Sequence, residues 1–221
     1  SWILNSPIGD LPLFMMVAKH GKIKFINQKW AVYRRNIGVW NKLGNMRNLN
    51  MIKQYNLLIE EFKQDLKVKK NLQFARNKYI KEYLKKNQPL FLRIIENEFQ
   101  SNKIPHAFLL VGQHVEQPLN YLTMSLICDE TTACEKCIDC QKIMNHQYAD
   151  IIEYNGQEES IKKKHIEHIQ ETFKKSSLEG KAKIYIIRNI ENSSKEAINS
   201  LLKILEEPEE GIYAIFTSKN I

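Results

Sequence analysis

Residues 107 to 119 read Ala-Phe-Leu-Leu-Val-Gly-Gln-His-Val-Glu-Gln-Pro-Leu, an apolar run followed by a glycine and a polar turn. The run predicts a buried β-strand, and the residues after it predict a loop that leads into a helix. Similar runs recur downstream, separated by helical patterns. We predict strands at residues 107 to 111, 150 to 154, 183 to 188 and 212 to 217, and helices at 161 to 173 and 194 to 205. This alternation indicates a parallel sheet with crossover helices, and therefore the α/β class.

The turn after the first strand lies where a phosphate-binding loop is expected. Such a loop reads Gly, four residues, then Gly-Lys-Ser/Thr, because its backbone N–H groups and its Lys hold the phosphates while the hydroxyl holds magnesium. Gly112 is present, but Gln117, Pro118 and Leu119 replace the second Gly, the Lys and the hydroxyl residue. Pro118 would be an acceptable first residue for the following helix. The chemistry of the loop is therefore lost while its architecture is kept.

The acidic pair expected after the strand at residues 183 to 187 is also missing. Arg188, Asn189 and Ile190 stand there instead, with Glu191 as the nearest acidic residue. Without these groups a magnesium ion has no ligands at this edge of the sheet. We therefore expect that the chain neither binds ATP with magnesium nor hydrolyses it.

All the cysteines of the chain lie in one short stretch, Cys128-x5-Cys134-x2-Cys137-x2-Cys140. Thiolates at such spacing can complete the tetrahedral shell that zinc prefers, at about 2.3 Å per sulfur. Three ligands three residues apart cannot all face one point on a straight helix, so residues 134 to 140 should curl around the ion. Cys128 would close the site from the end of the preceding helix. We predict a structural zinc ion at these four residues.

Three alternatives to zinc remain open. Paired disulfides are disfavoured because nothing in the chain looks secretory. An iron–sulfur cluster matches part of a ferredoxin pattern but lacks its downstream Cys and Pro. Free buried thiols are the third alternative. His146 lies close by, but a lone His at a helix end is more often a structural hydrogen-bonding residue, so we do not count it as a ligand.

Charge is divided unevenly along the chain. Residues 1 to 86 contain 18 Lys and Arg against 5 Asp and Glu, whereas residues 87 to 221 contain 15 against 20. An asymmetry of this size marks either a tail for nucleic acid or membrane, or two unrelated segments joined together. The sequence has no apolar run long enough to span a bilayer and no signal peptide, so we expect a cytoplasmic protein.

The N-terminal segment has a mixed α/β pattern. We predict a helical start at residues 11 to 17, strands at 22 to 26 and 30 to 33, and a basic amphipathic helix from 49 that continues to 86. Packing of one stripe with solvation of the other is the favoured interpretation of this helix, over DNA or membrane binding, because no aromatic or Arg-rich contact face is evident. A further helix begins at Pro89 and is ended by the turn at 101 to 105.

Several stretches carry a resemblance to a known family. They are Ile-Pro-His-Ala-Phe-Leu-Leu-Val-Gly at 104 to 112, the four cysteines, Asn-Ser-Leu-Leu-Lys-Ile-Leu-Glu-Glu-Pro at 199 to 208, and Ala-Ile-Phe-Thr-Ser at 214 to 218. Residues 87 to 221 resemble the delta-prime subunit of the bacterial DNA polymerase III clamp loader, of the AAA+ family. The related gamma/tau ATPases share the run at 201 to 208 but keep an intact phosphate loop, so the altered loop points to delta-prime.

The resemblance implies a non-catalytic subunit of a ring that opens the sliding clamp and loads it on primed DNA. Its partners would be the gamma/tau and delta subunits. It also implies a four-Cys zinc module at Cys128, Cys134, Cys137 and Cys140. The Ser-Arg-Cys arginine finger of the family would begin just beyond Ile221, so we expect this AAA+ first domain to be incomplete at its C-terminus, without the collar.

Residues 1 to 86 resemble a different family: they are similar to the C-terminal end of a family 2 glycosyltransferase of GT-A type. The stretches concerned are Gly-Asp-Leu-Pro-Leu-Phe at 9 to 14, Ala-Lys-His-Gly-Lys-Ile-Lys-Phe-Ile at 18 to 26 and Ala-Val-Tyr-Arg at 31 to 34. The resemblance implies that Asp10 matches the base that deprotonates the acceptor hydroxyl. The resemblance implies that the nucleotide-sugar half would lie upstream of Ser1, and the stretch at 33 to 40 departs from the family pattern. We therefore expect a remnant without activity, in which Asp10 caps the helix that follows. The sequence leaves the origin of the join near Lys86 open.

Overall fold

The structure is a computed structural model that describes residues 5–7, 10–21, 46–130 and 132–219. The chain divides into two compact units, Ser1–Leu92 and Arg93–Ile221. Among the helices that the structure describes, none combines the length and the apolar character needed to cross a bilayer.

The described part of the first unit is helical. It contains α1 (Asp10–His20), α2 (Met46–Glu61) and α3 (Leu66–Asn87), and the division between the units falls inside α4 (Pro89–Gln100). α1 confirms the helix predicted at 11 to 17. Its first residue is Asp10, whose side chain lies outside the described part of the chain, as do the strands predicted at 22 to 26 and 30 to 33.

The prediction of one continuous basic helix from 49 to 86 is wrong. Two helices replace it, because the Asp65 carboxylate accepts hydrogen bonds from the backbone N–H groups of Lys67 at 3.1 Å and Val68 at 3.0 Å. These are N–H groups that a new helix leaves without a partner. The break lets α2 and α3 pack against each other around Leu58 and Leu72, which are both buried.

The second unit contains a four-stranded sheet. Its strands are β1 (Ala107–Val111), β2 (Ile151–Asn155), β3 (Lys183–Arg188) and β4 (Ile212–Ser218). Their order is β1-β4-β3-β2, and every neighbouring pair is parallel. The predicted α/β class is confirmed, and each predicted strand lies within one residue of its observed position.

Helices cover both faces of this sheet. They are α5 (Glu116–Ile127), α6 (Ile138–Met144), α7 (Lys163–Phe173) and α8 (Lys195–Glu206), and a short 3₁₀ turn at Ile190–Asn192 follows β3. α7 connects β2 to β3 and α8 connects β3 to β4, as crossovers between parallel strands require. The α8 crossover starts where Ser194 accepts the N–H of Ala197 at 3.2 Å.

The core explains why the strands of this unit read as continuous apolar runs. In β3 the four consecutive residues from Ile184 to Ile187 are buried, and Tyr185 and Ile187 belong to a cluster with side chains of α7 and α8. Because all four strands are parallel, their carboxyl ends meet at one edge. Ligands of such sheets bind at that edge.

We predict that Asp65→Ala destabilises the α2 and α3 pair by about 1 kcal/mol, because the N–H groups of Lys67 and Val68 lose their acceptor. Asp65→Asn keeps a capping oxygen and should remain within a few tenths of a kcal/mol of the native chain. Urea unfolding followed by circular dichroism compares the two variants. Equal destabilisation by Ala and Asn would show that the cap does not set the helix boundary.

Candidate metal centre and the loop after the first strand

Four thiols form a compact group in the second unit. The Sγ atoms of Cys128, Cys134, Cys137 and Cys140 all lie within 4.8 Å of one another. All four cysteines are free, and Cys140 is completely buried. Sulfurs in a tetrahedral zinc site with bonds of about 2.3 Å lie about 3.8 Å apart. The Sγ atoms of Cys128 and Cys137 are 3.9 Å apart, so the group has the dimensions to hold such an ion.

The backbone supplies these thiols from three local structures. Cys128 ends α5, Cys134 lies in the irregular segment after it, and Cys137 is the N-cap of α6, whose first turn carries Cys140. The N–H of Cys137 lies 3.3 Å from the Cys134 sulfur, and the N–H of Cys140 lies 3.4 Å from the Cys137 sulfur. As the cysteine spacing predicted, residues 134 to 140 do not form one straight helix.

The thiols differ in their affinity for a proton. Burial raises the pKa of Cys140 far above its ordinary value and also raises that of Cys128. Burial acts in the same direction at Cys134, but backbone hydrogen bonds from Lys136 and Cys137 outweigh it and lower the pKa of Cys134 to about 7. A coordinated cation removes the proton from a thiol, so a divalent ion in this group would let Cys140 ionise in the core.

Two carboxylates beside the thiols are bound by one lysine. Asp129 directly follows Cys128, and Asp139 directly precedes Cys140. The Nζ of Lys181 lies 2.6 Å from an oxygen of Asp129 and 2.9 Å from an oxygen of Asp139. These hydrogen bonds raise the pKa of Lys181. Because the two carboxylates belong to separate parts of the cysteine stretch, Lys181 holds those parts together.

Further contacts fix the segment that leads into β3. The Asp150 carboxylate accepts hydrogen bonds from the Ser177 hydroxyl at 2.6 Å and from the N–H groups of Leu178 and Glu179 at 3.0 and 2.8 Å. Burial alone would raise the pKa of Asp150, but these donors lower it. Glu179 also pairs with Lys142 of α6 at 2.5 Å. Ion pairs therefore connect the region of the four cysteines to the segment that leads into β3.

Sequence reasoning did not identify Lys181, Asp129 or Asp139. The two acidic residues next to candidate ligands are visible in the sequence, but Lys181 lies 52 and 42 residues from them and only the fold brings it close. His146, which was not predicted to be a ligand, is not part of the group of four. It lies in the left-handed region with a φ of 54° after α6.

The loop after β1 keeps the shape of a strand-to-helix turn. Gly112 has a φ of 132°, which favours glycine, and its N–H donates to the Ser218 carbonyl at 2.9 Å. α5 begins at Glu116, so Pro118 is the third residue of the helix. The prediction that Pro118 is its first residue is therefore wrong by two positions. N–H groups of the first helical turn have no partner within the helix, so proline is tolerated at either position. Pro118 and Leu119 are both buried, and neither offers a group to a phosphate.

An ion pair lies at the N-terminus of α5. Arg188, the last residue of β3, hydrogen-bonds both carboxylate oxygens of Glu116, one of them at 3.2 Å, and also bonds Glu153 of β2. Burial would lower the pKa of Arg188, but the two carboxylates raise it. A carboxylate is favoured at a helix N-terminus, which also attracts phosphate. Glu116 therefore places negative charge where a phosphate would need to approach.

Comparisons with known proteins agree with this architecture. A sequence profile described as "DNA polymerase III, delta subunit" matches residues 87–221, and the chain belongs to this family. DNA polymerase III subunit delta' of Bacillus subtilis (strain 168) is 33% identical over 137 residues, which are 60% of this chain and 42% of that protein. The resemblance predicted from the sequence is confirmed.

Other relatives are named as gamma or tau subunits of DNA polymerase III. DNA polymerase III subunit gamma of Buchnera aphidicola subsp. Acyrthosiphon pisum is 26% identical over 159 residues, 68% of this chain and 44% of that protein. DNA polymerase III subunit tau of Escherichia coli (strain K12) is 26% identical over 127 residues, 55% of this chain and 20% of that protein. The chain spans less than half the length of each of these three relatives. Nothing in these matches supports the glycosyltransferase hypothesis for residues 1 to 86.

We predict that Lys181→Met loosens the cysteine group, because Asp129 and Asp139 lose their shared cation. The thiols of the metal-free chain should react faster with Ellman's reagent, and the melting temperature should fall by a few degrees, as expected for a loss of about 1 kcal/mol. Lys195→Met removes the same charge from an exposed position on α8 and serves as the control. Identical thiol reaction rates in the two variants would show that Lys181 does not hold the group together.

Proposed function

We propose that this chain is a non-catalytic subunit of the DNA polymerase III clamp loader and helps to load the sliding clamp on primed DNA. The observation that carries the proposal is the ion pair between Glu116 and Arg188, at the edge of the sheet where the phosphate-binding loop and magnesium ligands of an ATPase would lie. The chain keeps the sheet and the crossover helices of such a protein, while Pro118 and Leu119 are part of the core. A subunit of this kind would contribute binding surfaces to the assembly and would not itself hydrolyse nucleotide.

The proposed partners are the gamma/tau and delta subunits, and the sliding clamp and primed DNA are reached through the assembly. Support comes from the three relatives described above, whose names assign them to DNA polymerase III. Further support comes from the run at residues 201 to 208, most of which lies on α8. The proposal places the chain in the cytoplasm, with the DNA that it serves. Residues 87 to 221 form the clamp-loader segment in this proposal, and residues 1 to 86 are a separate addition.

We further propose that Cys128, Cys134, Cys137 and Cys140 hold a structural zinc ion. The spread of the four sulfurs, the N–H groups aimed at two of them and the buried thiol of Cys140 support this assignment. Zinc bound by four thiolates has no open position for a substrate, so its contribution is to the stability of the fold. The ion would join the end of α5 to the start of α6.

We expect about one zinc ion per chain by elemental analysis, and a lower melting temperature after treatment with a chelator. Cys137→Ser should reduce the zinc content and destabilise the second unit, because one of four ligands is lost. Ile138→Ser changes an exposed neighbour in the same turn and keeps all four thiols, so it should retain zinc. Full zinc retention by Cys137→Ser, or iron and sulfide in place of zinc, would contradict the assignment.

The clamp-loader proposal predicts co-purification of this chain with the gamma/tau subunit of its own organism. Both chains are co-expressed, one of them is tagged, and the eluate is run on a size-exclusion column. We expect co-elution in a complex larger than either chain alone. The delta' and gamma/tau pair of Bacillus subtilis serves as a positive control, and its recovery without recovery of this chain would count against the proposal.

A further inference from the structure

A cavity of about 180 Å³ lies between the C-terminal ends of α7 and α8. Much of its wall is apolar and consists of Ile169, Phe173, Ile204, Leu205 and Ile212. His106, which directly precedes β1, also lines it, and Ile212 is the first residue of β4. The cavity therefore lies towards the amino ends of the strands, away from the carboxyl edge where Arg188 binds Glu116.

Tyr185 of β3 lines this cavity with a hydroxyl group that lacks a hydrogen-bond partner. Its side chain is 1% exposed, and the centroid of its ring lies 6.3 Å from that of Phe173 and 6.0 Å from that of Phe216. No residue in the described part of the chain hydrogen-bonds to the hydroxyl, and burial raises the pKa of Tyr185. Buried tyrosine hydroxyls usually have a partner, and a group placed in the cavity can supply one here.

Charged side chains of both signs surround the opening of the cavity. They are Lys174, Lys203, Glu207 and Glu209, all of them exposed. Within the described part of the chain, none of these four residues forms an ion pair. The rim therefore offers two positive and two negative groups to whatever enters the cavity.

The size of the cavity limits its occupant. Sites for drug-sized ligands have volumes of about 300 to 1,000 Å³, whereas a cavity of about 150 Å³ holds one benzene molecule. The cavity beside Tyr185 therefore has room for about one aromatic ring with a small substituent. Phe173 and Tyr185 place aromatic rings in its wall, and such rings favour contact with another ring.

The polar groups decide what carries that ring. A plain hydrocarbon would leave the Tyr185 hydroxyl without a partner and the four rim charges unmatched. A free aromatic amino acid carries one charge of each sign, which is half of what the rim offers. A protein segment provides a ring with a polar tip on a tyrosine or tryptophan, and charged neighbours of both signs beside it.

We propose that this cavity receives a tyrosine or tryptophan side chain of a partner protein. The phenol or indole group of that side chain hydrogen-bonds to the Tyr185 hydroxyl, and charged residues next to it in the partner pair with the four rim residues. The proposal rests on the cavity alone. Failure of the chain to co-purify with gamma/tau would therefore leave it standing, and its own failure would leave the clamp-loader proposal standing.

The hydrogen bond is tested by NMR titration of the full chain with two blocked amino acids, N-acetyltyrosinamide and N-acetylphenylalaninamide. The dissociation constant of the tyrosine derivative should be about fivefold lower, as expected for one net hydrogen bond. Tyr185→Phe keeps the ring and removes the hydroxyl, so this preference should disappear in the variant. Equal affinity of the two derivatives for the native chain would overturn the proposal.

The location is tested by filling the cavity. Gln170 lines it from α7 and is exposed, so Gln170→Trp should place a ring in the cavity and abolish binding of both derivatives. Gln147→Trp makes the same substitution at an exposed position that does not line the cavity, and it should bind like the native chain. Circular dichroism melts verify that each variant is folded. Equal binding by the two tryptophan variants would contradict the location.

The source of the ring is tested with two blocked pentapeptides that carry a central tyrosine, one flanked by two lysines and two glutamates and the other by four serines. The charged peptide should bind about fivefold more tightly at low salt, and the double variant Glu207→Gln and Glu209→Gln should reduce this advantage. Tighter binding of free L-tyrosine than of the charged peptide would identify a small-molecule site and overturn the proposal. Absence of binding by all of these probes would also overturn it.

Discussion

The ion pair between Glu116 and Arg188 is the interaction on which the interpretation of the second unit depends. Arg188 ends β3, Glu116 begins α5, and Glu153 on β2 binds the same guanidinium. The pair links two strands and a helix at the edge of the sheet where parallel folds bind ligands. It places a carboxylate of the chain itself in the first turn of the helix, where negative charge is favoured. In this structure, ion pairs therefore occupy the edge of the sheet at which parallel folds bind ligands.

Ion pairs also hold the four cysteines in place. Lys181 binds the carboxylates beside Cys128 and Cys140, and Lys142 and Asp150 fix the segment that leads to β3. With the proposed zinc ion in place, the end of α5 would be joined to the sheet by both metal ligation and ion pairs. Such contacts are compatible with the proposed role of a subunit that holds its neighbours in position.

Much of the second unit could be predicted from its sequence, because strands buried on both faces leave continuous apolar runs and the four cysteines stand alone in the chain. What the sequence could not supply were contacts between distant residues, such as those that Lys181 and Arg188 make. The break at Asp65 was missed because lysines on both sides continue the same basic pattern, and a capping aspartate is easily overlooked within it.

If the ion pair between Glu116 and Arg188 closes this edge of the sheet, no nucleotide binds beside Pro118. Crystals of the chain grown with an excess of Mg-ATP provide the test. We expect that Arg188 still binds Glu116 and Glu153 and that no density for a triphosphate lies at the N-terminus of α5. A triphosphate with its magnesium ion at the loop that follows Gly112, with Arg188 turned away from Glu116 to meet it, would show that this edge binds nucleotide.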